Sequence, residues 1–308
     1  MKVVALAGGT GAARFLRGLC QVVPPGDVTV IGNTGDDVEL WGLHISPDLD
    51  TVTYTLGGLI DTARGWGVAG DTFQCRDAMS SLGEPTFFAL GDRDLAVHVF
   101  RTDKLRSGWS LSQITDVLRV RMGVACRILP MSDAPIRTRV LTPSGWLGFQ
   151  EFFVRERCLP EIVDIAFEGA AKAEPAPGVL EAINAADAVI ICPSNPISSV
   201  GPILAIEGIR RHLAAARART VAVSPIVGDA PVSGPAGKMM RATGFEVSVI
   251  GVAAAYADVA SALVIDHRDA QAGPALLERG LRPVMADSLM KSTDKATELA
   301  RAAIGAIS

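Results

Sequence analysis

No two of the five cysteines, Cys20, Cys75, Cys126, Cys158 and Cys192, stand in a CxxC spacing. Their odd number and wide separation argue against structural zinc and a disulfide framework, and free thiols fit a reducing cytoplasm. No basic tail or stripe breaks the interspersed charges, which sum to −4. A nucleic-acid polymer is therefore not an expected partner, although backbone amides and one or two cations can hold a single nucleotide. No segment has the length of a signal h-region: Val3 to Ala7, before Gly8 and Gly9, reads as a buried strand. No stretch reads as a membrane span either. The most apolar one, Val247 to Ile265, is alanine-rich and carries Asp258, which favours a buried helix and strand. Internal repeats and low-complexity tracts are absent. These absences together lead to the expectation of a cytoplasmic globular protein.

What is present is enough apolar chain for a sizeable core: 308 residues, 49% of them hydrophobic and 20% charged. Short β-branched runs alternate with amphipathic stretches. Strands are predicted at Lys2–Ala7, Asp27–Ile31, Ala188–Cys192, Thr220–Ser224, Glu246–Ile250, Ala262–Ile265 and Pro283–Ala286. Helices are predicted at Ala12–Val22 and at Ser46–Ile60, where Ser46 can cap, Pro47 suits the first position and Asp48 suits the dipole. Strands separated by helices predict an α/β protein: a Rossmann-like, mostly parallel, doubly wound sheet. One segment breaks the rhythm. Ile136–Thr142, the turn Pro143-Ser144-Gly145 and Leu147–Val154 read as a hairpin, with a further short strand at Ile162–Phe167. The expected organisation is a core of residues 1–130 and 173–308 with an inserted antiparallel β-rich subdomain at 131–172.

In open α/β sheets, ligands bind beyond the carboxyl ends of the strands, so the loops there should carry the chemistry. Gly8-Gly9-Thr10-Gly11 links the first strand to its helix, with Arg14 one turn further on. Glycine lets backbone approach a phosphate, and a helix N-terminus favours an anion. A tight strand–helix turn would use the same residues. The loop is not a dinucleotide fingerprint: Arg14 stands where the third glycine belongs, and the second strand ends in Gly32-Asn33 without a ribose-binding acid. Asn33-Thr34-Gly35-Asp36-Asp37 and Ser46-Pro47-Asp48-Leu49-Asp50-Thr51 then place four carboxylates within 15 residues. That density suits Mg²⁺, with Asp37, Asp48 and Asp50 as candidate ligands, because this ion takes oxygen ligands and shares them with substrate phosphates. Read singly, Asp48 need only complement a helix dipole and Asp36 need only be a turn residue. Asp50, on a first helical turn beside the phosphate loop, is the candidate general base. Gly91-Asp92-Arg93-Asp94 is a further charged loop, with a solvated ion-pair network as its alternative, and His98 can be a satisfied core histidine. Pro193-Ser194-Asn195-Pro196 and Ser224-Pro225-Ile226-Val227-Gly228 each follow a strand. Ser233-Gly234-Pro235-Ala236-Gly237-Lys238 opens a helix.

These loops, in this order, resemble the 2-phospho-L-lactate transferase family. The matching strings are GGTG at Gly8–Gly11, NTGDD at Asn33–Asp37, SPDLDTV at Ser46–Val52, GWG at Gly65–Gly67 and DTF at Asp71–Phe73. GDRDLA at Gly91–Ala96, LPMSD at Leu129–Asp133, FQEFFVR at Phe149–Arg155, PSNP at Pro193–Pro196, SPIVG at Ser224–Gly228 and SGPAGKMM at Ser233–Met240 complete the set, which spans nearly the whole chain. The resemblance implies a Rossmann-like core with a small insertion, Mg²⁺ and a homodimer. It also implies a reaction, in which the 5′-hydroxyl of the deazaflavin Fo attacks the β-phosphate of a lactyl-, enolpyruvyl- or glyceryl-diphosphoguanosine. GMP leaves, and coenzyme F-420-0 or its dehydro form results. Catalytic roles then fall on Asp50, Asp36 and Asp92. Nucleotide and substrate contacts fall on Gly8, Gly9, Thr10, Gly11, Arg14, Asn33, Arg93, Ser194, Asn195, Ser233 and Lys238. Archaeal members carry a lysine two residues before the GDRD glycine. Here that position is Ala89, so no lysine contact is carried over.

Two other classes compete. A non-catalytic, nucleotide-sugar-binding regulatory protein of the same superfamily would share the GGTG start, but would have no need of the SPDLDT and GDRDLA acids. An NAD-dependent oxidoreductase is disfavoured by the broken fingerprint.

Overall fold

The computed structural model describes residues 1–307. Seven strands form one sheet: β1 (Val3–Ala7), β2 (Val28–Gly32), β3 (Arg127–Pro130), β4 (Ala188–Ile191), β5 (Thr220–Val223), β6 (Ala262–Asp266) and β7 (Arg282–Ala286). Their spatial order is β3-β2-β1-β4-β5-β6-β7, and every pairing is parallel. This extends the 3-2-1-4-5-6 order of nucleotide-binding sheets by one strand. A parallel sheet is covered on both faces, so its central strands are apolar throughout rather than alternating. All residues of β1, β4, β5 and β6 are buried accordingly. Along β1 the side chains divide by parity. Val4 and Leu6 join one core with Ile191, Leu263 and Val252, while Val3, Ala5 and Ala7 join the other with Phe15, Leu19 and Leu299.

Four helices position the site. They are α1 (Gly9–Leu19), α2 (Pro47–Leu56), α3 (Asp92–Arg106) and α4 (Thr293–Gly305). α1 and α4 share the second core through Leu16, Leu19, Leu299, Ala300 and Ala303. The insertion is a three-stranded antiparallel sheet with Arg137–Thr142 between Gly145–Gly148 and Asp164–Glu168. It is stitched to the core where the Thr138 amide donates to the Gly35 carbonyl at 2.7 Å. Among the described residues, no helix is long and apolar enough to cross a membrane.

The structure corrects the sequence reading in several places. Glu246–Ile250 is no strand: Ser248 caps a helix, Val249–Tyr256, by accepting from the Ile250 and Gly251 amides. A short apolar run has no period that separates strand from helix, and the cap decides it here. Arg127–Pro130, which carried no strand prediction, is the edge strand beside β2. The second hairpin strand ends at Gly148, because Glu151 turns back to accept from the Gly148 amide and a π-helical turn follows at Glu151–Arg155. The Ser46 helix stops at Leu56, with Gly57 at its C-cap.

The α1–α4 contact is close enough to be testable. A Cβ on Gly18 would collide with the main chain at Ala296, next to Thr297. Gly18→Ala should cost about 1–3 kcal/mol of stability, the usual penalty for overpacking, read as a lowered Tm by calorimetry. An unchanged Tm would show that the helices can move apart without loss.

Candidate active site

The connections of β1 and β4 leave the sheet in opposite directions, and the crevice between their carboxyl ends is where such folds bind ligands. A cleft of about 710 Å³ lies there. Gly8 to Gly11 and Arg14 line it from the β1 side, and Pro193, Ser194 and Asn195 from the β4 side. Asp36, Asp48, Asp50, Asp94 and His98 also face it, together with Ser233 and the loop Ser288–Lys291. The sequence loops therefore meet in one place.

Close packing explains the glycines. Gly9 has φ +71°, a left-handed conformation that favours glycine. A Cβ on Gly8 would stand 2.6 Å from the Ser199 Cβ and 2.8 Å from the Asp48 Oδ2. Ser194 donates its hydroxyl to the Gly8 carbonyl at 2.9 Å, which ties the two loops together across the crevice. The Asn195 side-chain oxygen is used at home, accepting from the Ile197 and Ser198 amides. Asn33 lies below the cleft rather than in it. Its amide donates to Asp48 Oδ2 at 2.9 Å and to the Ser198 carbonyl at 3.1 Å, and its oxygen accepts from the Gly35 amide.

The carboxylates divide into three roles. Asp36 and Asp48 face the cleft, both buried, and the Asp36 Oδ1 has no hydrogen-bond partner. Burial and the neighbouring Asp48 charge push the Asp36 carboxyl well above its ordinary value. Burial pushes Asp48 up to about 6, against the Asn33 bond and the Gly9 amide, which favour its charged form. Asp37 is engaged elsewhere, accepting at 2.9 Å from both the Ser46 hydroxyl and the His44 Nε2. Asp50 belongs to a third set. Its Oδ1 accepts from the Arg101 Nη2, while its Oδ2 is buried without a partner. Burial raises the Asp50 carboxyl, and the Arg101 charge opposes that shift. His98 Nε2 lies 3.3 Å from Asp94 Oδ1, and that oxygen accepts from the Tyr54 hydroxyl at 2.6 Å. Burial alone would raise Asp94, but His98, Tyr54 and Arg101 hold it below the usual carboxylate range.

Besides Asn33 and Asp37, three more expected residues do not line the cleft. Asp92, expected to be catalytic, clamps the chain: its oxygens accept from the Thr72 hydroxyl and from the Gln74 and Cys75 amides. Arg93 reaches back to the Ala69 carbonyl at 3.3 Å. Lys238 donates to the Cys158 and Leu159 carbonyls and so fastens the insertion to the core. Ala89, in contrast, does line the cleft. Residues that sequence reasoning passed over include Arg101, which is 1% exposed, and an aromatic wall of Trp66, Phe87, Phe88, Phe149 and Phe153. Phe149 and Phe153 stack at 5.6 Å, and the Arg64 guanidinium covers Trp66 at 5.1 Å. One signal was available: Asp94, His98 and Arg101 fall at i, i+4 and i+7, a single face of α3.

The raised Asp48 makes a prediction with a definite sign. Its contribution to stability is full below its ordinary value of 3.8 and is lost as pH rises through about 6. Asp48→Asn should therefore gain on the wild type between pH 4 and 8, by up to about 3 kcal/mol for a two-unit shift. Chemical denaturation of both proteins at several pH values, without divalent cations, measures the difference, and a difference independent of pH would refute the assignment.

The chain matches the family model described as "2-phospho-L-lactate transferase CofD" over residues 3–304. It is 45% identical over 310 residues to a phosphoenolpyruvate transferase of Streptomyces griseus, covering 99% of this chain and 98% of that protein. It is 43% identical over 303 residues to a 2-phospho-L-lactate transferase of Methanosarcina acetivorans, covering 98% of both. A solved structure of a UPF0052-family protein from Bacillus halodurans superposes with a TM-score of 0.64 at 15% identity, covering 98% of both chains, a likeness of fold. The motifs, the sheet order and these matches agree, and the chain belongs to the 2-phospho-L-lactate transferase CofD family of transferases.

Proposed function

We propose that the protein moves a phosphate-bearing acid from a guanosine diphosphate ester to the 5′-hydroxyl of the deazaflavin Fo, with GMP as the leaving group. The observation that carries this reading is one cleft holding a glycine loop, buried acids and an aromatic wall. The first two suit a diphosphate and the third a planar ring. The names of the relatives, phosphoenolpyruvate transferase and 2-phospho-L-lactate transferase, support a donor that carries a three-carbon acid.

Mg²⁺ fits the residues present. Among the described residues no cluster of three or more His, Cys, Asp or Glu side chains is arranged to hold a metal. This ion, however, commonly takes one or two carboxylates and completes its shell with phosphate oxygens and water. Asp36 and Asp48 would be its protein ligands, since their mutual repulsion and the unpartnered Asp36 Oδ1 call for a cation. Bound there, it would neutralise diphosphate charge. The chain's own groups do the rest. The loop Gly8–Gly11 and the exposed Arg14 hold the diphosphate. The aromatic wall seats the acceptor ring and keeps water from the reacting phosphorus. Asp50 Oδ2 accepts the hydroxyl proton as the new P–O bond forms and the bond to the GMP oxygen breaks. Such displacements depend on positioning and charge neutralisation more than on basicity.

The test is incubation with Fo and each of the lactyl, enolpyruvyl and glyceryl donors, with Mg²⁺ and with EDTA. GMP and a product heavier than Fo should form with at least one donor, only when Mg²⁺ is present. No GMP with any donor would overturn the reading. Asp50→Asn, which keeps an acceptor for Arg101, should lower kcat by about 10²-fold with the fold retained by circular dichroism. Asp50→Ala is a poorer probe, because it also removes the hydrogen-bond acceptor of the buried Arg101 guanidinium.

A further inference from the structure

Arg101 is the largest fully buried side chain of the described residues, and no part of it lines the cleft. Its contacts are specific. Nη2 binds Asp50 Oδ1, and Nη1 binds His98 Nδ1 at 3.2 Å and the His44 carbonyl at 3.4 Å. A guanidinium has donors only, so His98 Nδ1 must accept. The imidazole proton then lies on Nε2, facing Asp94 at 3.3 Å. Asp50 Oδ2 lies 3.7 Å from His98 Nδ1, beyond hydrogen-bond reach, and is left buried and unpartnered on a residue that lines the cleft. One arginine thus fixes the carboxylate through one oxygen and removes the histidine that would compete for the other.

We propose that Arg101 is the positioning residue of the reaction: through Oδ1 it orients Asp50 so that the free Oδ2 meets the acceptor hydroxyl, and it engages His98 Nδ1 to keep that oxygen free. The proposal rests on the transferase reading above, and the wild-type enzyme serves as the control that separates the two. If the wild type makes no GMP, the reading fails. If the wild type turns over, the variants decide the role of Arg101.

Arg101→Lys keeps the charge but loses the fork that binds both partners at once. Its kcat should fall by roughly 10- to 100-fold, as expected for misplacement of a reacting group by about an ångström. KM for donor and acceptor should stay within about threefold of wild type, because no substrate contact is removed. A kcat within threefold of wild type, or a loss expressed mainly in KM, would overturn the proposal. A second comparison does not require that the single variant fold. Removing both partners of a buried ion pair is far milder than removing one, so Asp50→Asn/Arg101→Met is set against Asp50→Asn. A residue acting only through Asp50 has nothing left to position, and the two kcat values should agree within about threefold. A further drop of tenfold or more in the double variant would show that Arg101 acts on the reacting atoms independently, which overturns the positioning role.

Discussion

Five aspartates, Asp36, Asp37, Asp48, Asp50 and Asp94, are buried in one region of this protein, and Arg101 is the only buried lysine or arginine among the described residues. Taking a carboxylate from water is costly unless it is paired, hydrogen-bonded or neutralised. Each aspartate here solves that problem differently. Asp37 is held by a serine and a histidine, Asp94 by a tyrosine and a histidine, and Asp50 by the arginine. Asp36 and Asp48 have no protein cation in contact among the described ion pairs, and the Asp48 charge makes that of Asp36 more costly, as Asp37 does for Asp48. The surplus negative charge lies under the glycine loop, where a nucleotide diphosphate would add more. The divalent cation proposed there would resolve both problems together.

The sheet order supplies the geometry for this. Strands β1 and β4 are neighbours whose connections diverge, so residues distant in sequence are brought face to face. Two hydrogen bonds hold them there: Ser194 to the Gly8 carbonyl, and Asn33 to the Ser198 carbonyl. The turn Pro196–Val200 is π-helical, a form often found at functional sites, and it lowers Ser199 onto the glycine loop. Gly8 is required by this approach, since no side chain fits between Ser199 and Asp48.

Much of this was legible in the sequence, for a physical reason. Fully buried parallel strands are short apolar runs, and the loops after them carry glycines and acids that have no use in a core. The Rossmann-like sheet, the antiparallel insertion and the meeting of the Gly8, Asp36, Asp48 and Asn195 loops could therefore be anticipated. What escaped depends on tertiary partners. Asp92 and Asp94 stand two residues apart in one motif, yet Asp92 caps the first turn of the helix Gln74–Ser81 and Asp94 enters the buried network, a difference set by which face of α3 meets α2. Lys238 looks like a phosphate contact until the insertion folds over it and offers two carbonyls. The run at Glu246–Ile250 has the composition of a strand, and only the Ser248 cap makes it the start of a helix.

The cleft is also divided in character, and in the proposed reaction that division would bear on the order in which charge and ring are handled. Its acids and glycines come from the ends of the central strands, from α2 and from α3. Its aromatic wall comes from outside the sheet: the Trp66 loop, the Phe87–Phe88 segment and the π-helical turn of the insertion. Trp66 and Phe153 keep about 40% of their surface exposed, at 40% and 41%. Charge stabilisation needs dipoles that do not reorganise, so it belongs on the sheet. A ring platform gains from burial wherever its partner stacks, and can be carried by loops that close as the ring arrives. Asp50 stands between the two ends, on α2 and anchored from α3 by Arg101. A hydroxyl delivered from the aromatic side would therefore meet a carboxylate already fixed in place before the phosphate chemistry begins.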